Sequence, residues 1–271
     1  MKSVAEHIGK PVPRFRRGMR AAFAVATVSD RGLVRAENQD SVLADPVAGL
    51  FAVADGMGGG AEGATASRMV CDLLASSVRA VDGFAAAMNA TDLALAEANG
   101  RILAYAASRG YRQMGSTAVV LLVRPDEPAR GAVCHVGDSR IYRIRGETAQ
   151  LLTRDHTVAN ALGGAAGREG VAGRADPLAH VLTRVIGCER CVEPEWRRVD
   201  LRPGDRFLLC SDGVHDVVEP VEISFVFAGS SPESACRRLA ALVRSRGAPD
   251  NFSCVAVEVG ADGGDNRKDM T

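Results

Sequence analysis

Short apolar runs and longer amphipathic stripes occupy different blocks of this chain. Residues 22–28, 41–45 and 49–54 are runs rich in Val, Ala and Phe and predict strands. Two stripes at helical spacing follow. Met69, Val70, Leu73, Leu74, Val78 and Val81 share one face, and Phe84, Met88, Leu95, Ala98, Ile102 and Tyr105 share another. Asp82-Gly83 separates them, which predicts an antiparallel helical hairpin on a sheet. Strand signals return at 117–123, 131–136, 139–145 and 148–152, then at 195–200 and 205–210. Between these sets, the glycine-rich stretch within residues 163–180 reads as a mobile loop. Ser231-Pro232 is an N-cap followed by proline at the first helical position, so a helix is expected from there to about Arg246, before a last strand at 252–259. Consecutive strands imply antiparallel pairing. The expected fold is α+β, a four-layer α/β/β/α sandwich of two antiparallel sheets packed face to face with helices outside.

The totals agree with a single domain over residues 22–259. The chain has 271 residues, of which 46% are hydrophobic and 24% charged, enough for one sizeable core. Its longest apolar runs fall far short of the ~20 residues of a membrane helix, and no signal-peptide pattern opens it, so a soluble cytoplasmic protein is expected. Lys plus Arg and Asp plus Glu both total 33, leaving no overall field to attract nucleic acid or a membrane surface. A basic segment at 1–21, carrying Arg14, Arg16, Arg17 and Arg20, and a polar tail at 260–271 read as flexible ends. Seven cysteines, an odd number, argue for a reducing compartment. Cys188 and Cys191 form a CERC pair with neither a second pair nor histidines at ligand spacing, so no zinc site is read there.

The chemistry lies in the aspartates. Asp55 ends the apolar run LFAVAD, Asp138 follows GAVCHVG, Asp212 follows FLLCS, and Asp250 precedes FSCVAVEV. A carboxylate beside a buried strand is costly without a counter-charge. Four of them in that setting imply one shared site, although Asp138 or Asp40 taken singly would read as a turn residue. Carboxylates about 4 Å apart repel by roughly 4 kcal/mol at an effective dielectric of 20, so they converge around cations. Oxygen ligands without histidine or thiolate favour hard ions such as Mg²⁺ or Mn²⁺.

Two rival motifs fail on context. GMGGGA at 56–61 matches a dinucleotide-binding fingerprint, but helices run through the position where its second strand and acidic residue should lie. CHVGDSR at 134–140 has the spacing of cysteine-dependent phosphatases, yet IYRIR continues as a strand where a helix N-terminus is needed, and Asp138 would oppose the anion.

RAENQDS at 35–41, AVADGMGG at 52–59, GSTAVV at 115–120, HVGDSRIYRIR at 135–145, LTRDHT at 152–157, LTRVIG at 182–187, CSDGVHDVV at 210–218 and PDNFSCVAVEV at 249–259 resemble, in order, the motifs of the metal-dependent serine/threonine protein phosphatases, the PPM or type 2C class, in its bacterial form. The resemblance implies two Mn²⁺ or Mg²⁺ ions bridged by Asp55. It gives the Gly56 carbonyl to the first, Asp212 and Asp250 to the second, and Asp138 with Asp212 to a weaker third. Asp40 would orient metal-bound water and Arg35 would hold the substrate phosphate. His156 is a candidate proton donor, because Met57 stands where many eukaryotic members carry the histidine proposed as general acid.

The implied function is hydrolysis of phosphoserine and phosphothreonine by direct attack of water activated between two metals, opposing a serine/threonine kinase. Phosphorylated proteins, including such a kinase and its substrates, are the implied partners of a monomer. The alternative is a catalytically weak phosphoprotein-binding module on the same fold. The 163–180 loop corresponds to the family's variable flap and is expected to influence substrate choice.

Overall fold

The computed structural model describes residues 21–58, 61–111, 113–127, 129–162 and 178–261. The basic N-terminal segment, most of the 163–180 loop and nearly all of the polar tail lie outside these.

Among the described residues eleven strands and six helices follow one another. β1 (Ala21–Asp30), β2 (Asp40–Asp45) and β3 (Leu50–Gly58) precede α1 (Ala61–Arg79) and α2 (Phe84–Arg109). Next come β4 (Met114–Ser116), β5 (Ala118–Val123), β6 (Arg130–Val136), β7 (Arg140–Arg145) and β8 (Thr148–Leu151). α3 (Val158–Ala161), β9 (Glu195–Asp200), β10 (Arg206–Cys210), α4 (Asp212–His215), α5 (Pro220–Phe227), α6 (Pro232–Ser245) and β11 (Phe252–Ala261) complete the chain. One sheet has the order β1-β11-β10-β7-β8 and the other β2-β3-β5-β6-β9, with β4 paired to the end of β3. All of these pairings are antiparallel.

Strand periodicity assigns the layers. In β3, Leu50, Ala52 and Ala54 face α1 and α2, while Phe51 and Val53 face the other sheet. β5 repeats this, with Val120 and Leu122 toward the helices and Val119 and Leu121 inward. In the second sheet Leu208 and Cys210 meet the α5–α6 layer, and Phe207 and Leu209 meet the first sheet. The central strands are thus buried on both faces, which is why they read as unbroken apolar runs rather than alternating ones. Phe207 is fully buried between the sheets. Phe207→Ala should cost about 3–5 kcal/mol, read as a lower urea midpoint with the slope unchanged.

The helix signals hold at the residue level. Gly83 precedes α2 with φ +82°, and Gly110 closes it in the left-handed conformation. The Ser231 hydroxyl caps α6 by accepting from Ser234 N–H at 3.3 Å, with Pro232 next in sequence. Among the described residues no helix is long and apolar enough to cross a membrane.

β3 differs from expectation. It continues past Asp55 to Gly58, exchanging its β2 and β5 partners for β4. The glycines make this possible. A Cβ on Gly56 would collide with the Gly63 carbonyl, and one on Gly63 would sit 2.7 Å from the Gly56 carbonyl oxygen, so strand and helix start approach backbone to backbone.

Candidate active site

The topology delivers the aspartates to one end of the sandwich. Asp40 and Asp55 are cross-strand partners in the β2–β3 register. Asp212 opens the single turn α4 immediately after β10, Asp250 sits two residues before β11, and Asp138 lies in the turn joining β6 to β7. Asp55 and Asp212 lie close enough to shift each other's carboxyl pKa, and Asp55 also feels Asp40 and Asp138. Asp212 in turn feels Asp250. Arg35, half exposed in the loop before β2, places Nη2 2.6 Å from Asp250 Oδ2. Its guanidinium pKa is raised, first by that hydrogen bond, then by the charge of Asp250 and, more weakly, of Asp212 and Asp55.

Hydroxyls and amides fix these carboxylates. Ser211 Oγ donates to Asp40 Oδ2 at 2.8 Å while accepting from Ser253 N–H at 3.0 Å. Asp55 N–H donates to Thr117 Oγ1 at 3.0 Å, and Thr117 Oγ1 lies 2.8 Å from Ser139 Oγ, beside Asp138. Asn251 accepts from Gln39 N–H at 2.9 Å and donates to the carbonyls of Arg31 and Glu37 at 2.8 Å, tying the Arg35 loop to the Asp250 turn. His215 Nε2 lies 3.1 Å from the Asp138 carbonyl, to which it donates. These residues lie inside or beside the motifs, but nothing in a single sequence marks a serine or threonine as a bracket for a carboxylate.

Electrostatically the site is a reservoir of unmet negative charge. Burial, then the neighbouring aspartates, raises the carboxyl pKa of Asp55 well above its usual range. Asp212 is raised mainly by burial, with the His215 charge opposing. Asp40 is pushed up to about 7 and Asp138 to about 6, burial leading in both. Asp40 Oδ1 is buried without a hydrogen-bond partner among the described residues. The donor set is all oxygen, desolvated and mutually repelling, which fits hard divalent cations.

A group with a raised folded-state pKa is protonated more readily when folded than unfolded, so its stabilising effect fades as pH rises from about 4 to the folded value. For chelated protein, the melting-temperature advantage of Asp40→Asn over wild type should therefore grow between about pH 4 and pH 7 and level off above. A pH-independent difference would mean that Asp40 is not a strained carboxylate. His156, lowered to about 4 chiefly by burial and then by His135, acts oppositely, but it contributes equally to both proteins and cancels.

His156 belongs to a different cluster. Its Nδ1 accepts from Gly137 N–H at 3.2 Å, its Nε2 lies 3.3 Å from Glu195 Oε2, and its ring stacks on His135 with centroids 4.4 Å apart. None of its contacts among the described residues is to an aspartate of the cluster, so it braces the Asp138 turn from behind. His135, His156 and Glu195 bring donor atoms within 4.8 Å of one another. They are a poor cation site nonetheless, because Arg184 Nη1 stands 3.3 Å from His156 Nε2 and His135 Nε2 is engaged by the Arg154 carbonyl at 2.8 Å. Cys134 is fully buried with its thiol pKa raised well above the usual range by burial, which removes it as a nucleophile.

Comparison with known proteins identifies the family of the chain. The family model for protein phosphatase 2C matches residues 34–244. PstP, a serine/threonine protein phosphatase of Mycobacterium tuberculosis, is 34% identical over 235 residues, or 86% of this chain; the chain spans only 44% of that relative's length. The protein phosphatase PhpP of Streptococcus pneumoniae is 30% identical, with 87% of this chain and 97% of PhpP aligned. Among solved structures, PppA, a key regulatory component of T6SS in Pseudomonas aeruginosa, superposes with TM-score 0.80 at 35% identity, covering 89% of this chain and all of PppA. The catalytic domain of PstP with two manganese ions gives TM-score 0.76 at 34% identity, covering 89% of this chain and 99% of that domain. With matches across most of its length in sequence and in fold, the chain belongs to the protein phosphatase 2C family of metal-dependent serine/threonine phosphatases.

Proposed function

We propose that this protein hydrolyses phosphoserine and phosphothreonine in proteins, using two divalent cations held by its aspartate cluster and opposing a serine/threonine kinase. The observation that carries the reading is the convergence of Asp40, Asp55 and Asp212, desolvated and mutually repelling, with the partly exposed Asp250 from a fourth segment and Arg35 at the rim. Asp55, the Gly56 carbonyl, Asp212 and Asp250 would hold the two ions, Mn²⁺ or Mg²⁺, and Asp138 with Asp212 a weaker third. Bound there, the ions supply a water nucleophile active near neutral pH and neutralise charge on the phosphoryl group.

The chain's own residues do the rest. Arg35 presents a fork of donors to phosphate oxygens at the exposed margin of the cluster. Asp40, fixed by Ser211 through one oxygen and with the other buried and unpartnered among the described residues, would serve as a proton acceptor that orients the attacking water. Thr117 and Ser139 keep the Asp55 strand and the Asp138 turn in register. Met57 offers no proton, and His156 faces Glu195, so neither is given the proton-donor role.

The test is phosphate release from phosphothreonine, phosphoserine and phosphotyrosine peptides, with Mn²⁺ and with excess chelator. Metal-dependent turnover confined largely to the first two supports the reading. Binding without turnover by folded, metal-loaded protein would favour the phosphoprotein-binding alternative.

A further inference from the structure

Away from the aspartate cluster, three arginines on β7, β9 and the loop after β9 converge without acidic partners among the described residues. In β7, Tyr142 and Ile144 point toward the helices and Ile141 into the layer between the sheets, so Arg143 and Arg145 share the inward side with Ile141. In β9, Trp196 packs toward α1 and α2 while Val199 faces inward, which places Arg197 on the inward side too. β9 is the edge of its sheet, and β7 is next to the edge of the other. The two rows are joined by Arg197 Nη1 donating to the Leu152 carbonyl at 3.3 Å and Arg145 Nη2 to the Asp200 carbonyl at 3.2 Å.

The four guanidinium groups here have different partners. Arg145 is committed, pairing both ways with buried Asp205 at 2.6 Å. Arg143 donates to the neutral Gln150 at 2.5 Å, and Arg202 makes no side-chain hydrogen bond or ion pair among the described residues. Arg143, Arg197 and Arg202 therefore have no carboxylate partner among the described residues. Their mutual field is evident at Arg143, whose guanidinium pKa is lowered first by burial and then by Arg145, with Arg197 and Arg202 adding and Asp205 opposing.

We propose that Arg143, Arg197 and Arg202 form a docking cleft for an acidic segment of the phosphoprotein substrate, remote from the phosphate being hydrolysed. Partly desolvated guanidinium groups with spare donors recognise carboxylates in bidentate fashion. Arg143 stands five residues beyond Asp138, about 16 Å at strand rise, so an extended substrate would need about five residues between its phosphorylated side chain and its acidic ones. The buried Asp205 carboxylate is engaged by the Arg145 guanidinium and the Arg202 N–H, which leaves the other three guanidinium groups for a short acidic peptide run. The proposal rests on the phosphatase reading for the nature of the partner, whereas the cleft itself does not.

The experiment compares wild type with Arg143→Gln/Arg197→Gln/Arg202→Gln and with Arg202→Gln alone. Fluorescence anisotropy follows binding of a glutamate-rich peptide without phosphate. Kinetics use two phosphothreonine peptides that differ only in having Glu or Ala about five residues from the phosphorylated residue, with p-nitrophenyl phosphate as control. Wild type should bind the acidic peptide in a salt-sensitive manner and prefer the Glu-flanked substrate by about tenfold in kcat/KM. The triple variant should lose that preference through KM, and Arg202→Gln about a third of it, with p-nitrophenyl phosphate turnover unchanged. Absence of preference in wild type, its retention by a folded triple variant, or equal competition by an oligonucleotide of matched charge would each overturn the proposal. Peptide binding without any phosphate release would instead count against the phosphatase reading alone.

Discussion

Asp212→Ala should lower metal-supported phosphate release on the order of 10³-fold, because in the proposed function it is a ligand shared by the metal sites, worth several kcal/mol of transition-state stabilisation. Asp212 has no other evident task. It caps no long helix, and its side chain meets Asp55 and feels Asp250 rather than bonding the frame. Removing it relieves repulsion within a buried group of like charges, so the chelated variant should melt no lower than wild type, with a gain on the order of 1 kcal/mol. Loss of activity together with a melting temperature several degrees lower would show a structural role. Activity kept within threefold would remove Asp212 from the site.

Gly213→Ala should act through the backbone instead. Gly213 follows Asp212 in α4, and a Cβ there would collide with the Asn251 carbonyl oxygen, next to Asp250. Asn251 is already tied to Gln39, Arg31 and Glu37, so it cannot retreat without moving the Arg35 loop. The variant should lose about 2 kcal/mol or more of stability, as overpacked sites do, and should need more Mn²⁺ for half-maximal activity because Asp212 and Asp250 no longer meet. Thermal melts with a Mn²⁺ activation curve check both. An unchanged activation constant would mean that these two segments adjust independently.

Legibility in the sequence tracked burial. β5 and β10 lie between two apolar layers, so AVVLLV and FLLC identify themselves. β4 spans only Met114–Ser116, too short to show a period, and it exists because the Gly56–Gly58 backbone offers it a partner. α5 has the cap signals Glu219, Pro220 and Glu222, but Val221 and Phe225 are exposed at 59% and 68%, which blurs its apolar stripe. The aspartates were legible because a charge beside a buried run is conspicuous. Their brackets were not: Ser211 reaches Asp40 across 171 positions and Asn251 reaches Gln39 across 212, contacts set by sheet topology alone. His156 shows the converse. Its motif drew attention, and the fold turned its ring toward Glu195.

The central claim is that the aspartate cluster binds the cations that do the chemistry, and calorimetric titration of Mn²⁺ into metal-free wild type and Asp55→Asn tests it most directly. Asp55 is the carboxylate in contact with Asp212 and under the influence of Asp40 and Asp138. Wild type should take up about two ions, with both heats lost or strongly weakened in a folded Asp55→Asn. Two ions bound with unchanged affinity by that variant would place the metals elsewhere and contradict the account.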